Sequence, residues 1–138
     1  MTSERNSNNP VVSVTVTVYY VGQQGNSPSG EYLFFLSQDV VHVTQPQTEI
    51  HYNLSADTVA RGIRFTGYFA TDSHKQVAAL PGSIPKPGEE LLTESIKLIH
   101  ANDSESLLVR VSLQVTELQA RHRRGGLDPQ ITNVPSPH

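Results

Sequence analysis

The sequence predicts an all-β protein: an antiparallel β-sandwich of immunoglobulin-like type, with about seven strands and at most one short helical turn. Three observations predict it. Residues 11–21, VVSVTVTVYYV, alternate with a period of two and are written almost wholly in β-branched and aromatic residues. The same alternation returns in residues 107–118, LLVRVSLQVTEL. No segment carries the apolar period of an ordinary amphipathic helix.

Taken in order, residues 1–10 are polar, end in proline and read as a flexible N-terminal arm. In the first strand Val12, Val14, Val16, Val18 and Tyr20 share one face, and Ser13, Thr15, Thr17 and Tyr19 share the other. Residues 22–30, GQQGNSPSG, form a polar turn. Residues 31–36, EYLFFL, are bulky on both faces, which predicts a central strand. Residues 40–43 and 49–54 flank the turn TQPQT and direct Val41, Val43, Ile50, Tyr52 and Leu54 inward.

Residues 55–60 are expected to make the short helical turn. Residues 61–70 offer Ile63, Phe65 and Phe69 to the core, and Gly67 on the same parity marks a bulge or close packing. Residues 71–90 hold three prolines and two glycines and read as an irregular excursion. Residues 91–100 predict another strand, and 107–118 the last long one, with Leu107, Val109, Val111, Leu113 and Val115 inward. The sandwich is assigned to 11–119, and 120–138 to a basic turn and a Pro-rich C-terminal tail docked on it.

A chain of 138 residues suffices for one core. Its formal charge of −3 supplies no field that draws it to nucleic acid or anionic lipid, so neither is an expected partner. The absence of cysteine excludes disulfides, thiol nucleophiles, Fe–S clusters and Cys-dependent zinc sites. With no signal-peptide pattern at the N-terminus and no apolar run of spanning length, a cytoplasmic protein is expected.

His42, Glu49 and His51 are the candidate metal ligands. If a four-residue turn joins their strands, Glu49 lies across from His42, with His51 two residues along on the same outer face. The preferred reading of the three is a solvated cross-strand His–carboxylate pair, and it requires both strands to share a sheet. Arg121, Arg123 and Arg124, within RHRRGG, form a basic cluster that can meet an anion or an acidic partner. It lacks aromatics to stack bases, and an exposed loop is the preferred reading. Asp128, Pro129, Gln130 and Ile131 are candidate interaction residues, able to lie along a sheet edge within the molecule or on a neighbour.

The five aspartates are scattered, with no calcium loop, and neither a phosphate-cradling glycine loop nor a nucleophile elbow is present. Tyr19, Tyr20, Tyr32, Tyr52 and Tyr68 are available for a sugar platform, but with no Trp in the chain the preferred reading of most is core or sheet surface.

The segments VHVTQPQTEIHYNL (41–54), IRFTG (63–67) and LDPQITNVP (127–135) resemble the bacterial DP-EP family, whose name reflects an Asp-Pro element like the one at 128–129. The resemblance spans most of residues 11–135 and implies a small β-sandwich of unknown function, with no catalytic residue to transfer. A strand, Pro-containing turn and strand like 41–54 also occurs in cupredoxin-type sandwiches. Their copper sites need a Cys thiolate, so that activity is excluded here.

The expectation is therefore a non-enzymatic interaction or assembly module without cofactor. Its partner is a protein or a second copy of the chain, met at a sheet edge or the C-terminal tail. The competing classes are a small-ligand or carbohydrate binder, marked by a pocket with converging tyrosines, and a metal-binding protein using the His/Glu patch.

Overall fold

The computed structural model describes residues 9–25, 31–71, 76–84, 87–102, 108–127 and 130–133. The alternation of residues 11–21 becomes β1 (Val11–Tyr20). The elements that follow are β2 (Tyr32–Leu36), β3 (Val40–Val43), β4 (Thr48–Leu54), α1 (Ala56–Ala60), β5 (Ile63–Thr71), β6 (Val77–Ala79), β7 (Ser95–His100), β8 (Leu108–Glu117), β9 (Ala120–Leu127) and β10 (Gln130–Asn133). One sheet has the order β2-β1-β4-β7-β6; the other runs β3-β10-β8-β5, with β9 also paired to β8. Most pairs are antiparallel, while β1 with β4 and β3 with β10 are parallel.

The inward faces are those the alternation predicts. Val14, Val16 and Val18 of β1 are buried, as are Ile50, Tyr52 and Leu54 of β4 and Ile96 and Leu98 of β7. The other sheet contributes Val41, Val43, Ile63, Phe65, Val109, Val111, Leu113, Val115 and Ile131. Each large apolar side chain so buried stabilises the fold by about 1.5–3 kcal/mol before conformational entropy is counted. Leu107 lies outside the described residues.

The predicted helical turn is α1, capped by Ser55, whose Oγ accepts the Thr58 N–H. It occupies the place β4 vacates. The β1–β4 ladder ends at Val16 and Leu54, so Val18 has no strand partner on that side. Its N–H instead donates to Thr58 Oγ1 at 3.0 Å, and Arg61 Nη2 donates to its carbonyl. A five-residue helix thereby finishes a β-ladder.

Several expectations are corrected. The segment 31–36 yields β2, which stands at the edge of its sheet rather than in the centre, and its outer-face residue Phe35 is exposed rather than covered. Phe69 points outward: Phe65 pairs with Val115 and Gly67 with Gln114, so Thr66 is an extra residue that reverses the parity beyond it. Tyr68 and Ala70 take the inward places, packed against the core.

The excursion at 71–90 contains β6, paired to β7. The strand expected over 91–100 begins at Ser95, while Thr93 makes an isolated bridge to Phe65. Residues 121–126 are not a turn: they lie in β9, hairpinned to β8 around Leu118 and Gln119. The ten strands among the described residues exceed the expected seven by β6, β9 and β10, two of them short and the third poor in β-formers.

Candidate functional site

The predicted His42–Glu49–His51 patch does not assemble. β3 and β4 belong to different sheets, so the expected register between His42 and Glu49 never forms. His42 is exposed on β3 and pairs through its backbone with Thr132 of β10. Alternation had placed both strands' apolar residues inward, and that requirement is met equally by neighbours in one sheet and by strands facing each other across the core.

Glu49 and His51 remain together on the outer face of β4, with His51 Nε2 2.9 Å from Glu49 Oε1. Asn9 Nδ2 donates to Glu49 Oε2 at 3.2 Å, and the Pro10 carbonyl accepts the Glu49 N–H at 2.8 Å. The carboxylate is thus covered by the start of the first strand, and its side chain is only 4 % exposed. Among the described residues no group of three His, Asp or Glu side chains converges to hold a metal ion.

The segment holding Arg121, Arg123 and Arg124 enters an irregular part of the ladder. Glu117 pairs with Ala120 and the adjacent Thr116 with Arg124, leaving 121–123 opposite no residue of β8. Of the tail candidates, Asp128 and Pro129 lie outside the described residues. Gln130 and Ile131 belong to β10, between β3 and β8, and Ile131 is fully buried. β10 also keeps the register of β9: Leu127 pairs with Leu113 and Gln130 with Arg110, three positions on along each strand. The tail strand therefore extends the hairpin within the molecule, with both its edges occupied.

Two surface features went unread in the sequence. The first is aromatic. On the outer face of β1 and β2, Tyr19 and Phe35 stack edge-to-face with centroids 6.1 Å apart, and Phe35 is 54 % exposed. The Arg61 guanidinium lies over the Tyr19 ring at 4.3 Å. Nη2 of Arg61 is held by the Val18 carbonyl and by Thr58 Oγ1. Among the described residues its Nε–H and both Nη1–H donors are left for a ligand. The signal in the sequence was EYLFFL itself, since in two packed sheets a strand bulky on both faces must expose one of them.

The second is a groove of about 450 Å³ where residues 93–94 cross from bonding β5 of one sheet to bonding β4 of the other, lined among others by Arg64, Ser83, Leu92, Glu94 and Lys97. No tyrosine lines it, so the mark expected of a sugar pocket is not met there. Of the tyrosines, Tyr32 and Tyr52 are buried and Tyr19 and Tyr20 exposed. Burial alone pushes the phenols of Tyr52 and Tyr68 up from their ordinary value. No helix among the described residues is long and apolar enough to cross a membrane. Compared with known proteins, the chain matches no family model and no curated protein.

Proposed function

We propose that this chain is a non-enzymatic protein-interaction module that docks a partner on the outer face of β1 and β2. The observation that carries this reading is the exposed Tyr19–Phe35 pair with the Arg61 guanidinium fixed beside it. Aromatic and arginine side chains supply most of the binding energy at protein interfaces, and here they are held in place before binding, which lowers the ordering cost. The unused N–H donors of Arg61 define the occupant: a peptide segment with a carboxylate next to an apolar side chain. The carboxylate meets the guanidinium and the apolar group covers Phe35.

A second copy of the chain as occupant would appear as self-association in light scattering. The tail strand is a poorer contact for either partner, because pairing with β3 and β8 already uses both its edges. Binding of fluorescent acidic–apolar peptides to the full chain and to Phe35→Ala tests the reading.

The relation to the DP-EP family is part of the same proposal. Two of the similar segments become β3 with β4 and the start of β5, and the third contains β10. The immunoglobulin-like description stays with the pair of packed sheets and carries no functional inference. A cytoplasmic location is proposed on the cysteine-free composition.

A further inference from the structure

We infer that the groove at the sheet crossover is a binding site for a small organic carboxylate, independent of the aromatic face. Both walls are pinned by the backbone. On one side Thr93 exchanges two hydrogen bonds with Phe65, at 2.8 and 3.0 Å, and the Glu94 carbonyl then accepts the Leu54 N–H at 2.9 Å. Residues 92–95 are thereby fastened to β5 of one sheet and to β4 of the other. On the opposite side Ser83 Oγ accepts the Lys97 N–H at 2.8 Å, and Leu80 donates to the Lys97 carbonyl at 2.9 Å. Ser83 is almost fully buried, so the turn at Pro81 and Gly82 is held against β7. A cleft built this way exists before any ligand arrives, and its volume of about 450 Å³ lies within the range of small-molecule sites.

The lining sets the ligand's chemistry. Arg64 donates through Nη1 to the Val59 and Ile63 carbonyls at 3.0 and 2.9 Å, so its charge is positioned by the end of α1. Its Nε lies 4.0 Å from Glu94 Oε2, a loose contact with a carboxylate that is mostly solvated. Lys97 is exposed on the outer face of β7. Two cations against one carboxylate leave the groove one positive charge in excess, which suits a monoanion better than a phosphate dianion. Leu92 and Pro81 offer an apolar wall for the rest of the molecule. Such a ligand has one carboxylate and a compact apolar body.

The test is an NMR titration of the full chain with benzoate, with benzamide as the neutral counterpart and inorganic phosphate as the competing anion. Saturable shifts at the amides of Ser83, Glu94, Ser95 and Lys97 are expected with benzoate alone. Removing the exposed charge with Lys97→Gln is expected to weaken binding roughly tenfold. Glu94→Gln, which removes the repelling carboxylate, is expected to tighten it, a direction that loss of structure does not produce. The inference is overturned if benzoate gives no saturable shift, if benzamide shifts the same amides equally, or if phosphate binds in its place. It is also overturned if Lys97→Gln leaves the affinity unchanged or Glu94→Gln fails to raise it.

Discussion

Val18 gives its backbone N–H to the side chain of Thr58 at 3.0 Å, where a neighbouring strand's carbonyl would ordinarily stand. Thr58 is fully buried, and its hydroxyl also accepts from Arg61 Nη2 and shares a 2.9 Å hydrogen bond with Ser55 Oγ. Removing it strands a buried donor, at a cost of about 1–3 kcal/mol. Thr58→Ala is therefore expected to lower the denaturant midpoint by that amount, while Thr58→Ser restores most of it. Equal stability of the two variants would show that water replaces the hydroxyl.

The bulge at Thr66 separates two phenylalanines four residues apart. Phe65 is fully buried and Phe69 is 63 % exposed. Phe65→Ala is expected to cost about 3–5 kcal/mol. Phe69→Ala should stay within about 0.5 kcal/mol, as surface changes do. Urea unfolding of both variants checks this, and similar losses would mean the parity never reverses.

Tyr52 buries a hydroxyl that has no hydrogen-bond partner among the described residues. Tyr52→Phe removes an uncompensated polar group and is expected to be neutral or stabilising by up to about 1 kcal/mol. The pH dependence has a definite sign. Below about pH 10 the phenol is protonated in both folded and unfolded chains, and stability does not depend on it. Above that, the unfolded chain releases the proton and the folded chain, whose phenol is pushed up by burial, retains it. Stability then falls as pH rises. Tyr52→Phe should flatten that fall without abolishing it, because Tyr68 is raised too. Thermal melts between pH 9 and pH 11 measure the difference, and superimposable curves would contradict the assignment.

Removing residues 127–138 deletes β10 from between β3 and β8, and with it the buried Ile131. The truncated chain is expected to lose its cooperative unfolding transition, a result that calorimetry reads directly. A truncated protein that melts like the full chain would mean the tail strand contributes nothing to the sheet.

These relationships explain which parts of the fold were legible in the sequence. Val14, Val16 and Val18, or Val109 to Val115, declare their inward face because burial selects every second residue. Which sheet a strand joins is not written in that alternation, so His42 and Glu49 were paired across a turn that instead crosses the core. β9 is a strand through its register with β8, since nothing in RHRRGG favours one locally. Gly67 flagged the bulge, but its consequence for Phe69 depends on the side to which the extra residue falls. The groove brings Arg64, Ser83 and Lys97 together from three separate segments: the pairing of β6 with β7 sets Ser83 beside Lys97, and the bridge between Thr93 and Phe65 adds Arg64. Phe35 was visible as half of a strand with two apolar faces, and needed only the knowledge that the outer face of β2 is uncovered.

The most direct measurement is a selection from a random peptide library against the full-length protein, followed by affinity measurements on Phe35→Ser. Phe35 is largely exposed, so this variant is expected to keep its fold, which circular dichroism verifies. The proposed function predicts selected peptides with Asp or Glu next to an apolar residue, and affinities that fall about tenfold or more in the variant, as for a hot-spot residue. Peptides without a carboxylate, or binding that Phe35→Ser leaves intact, would contradict it.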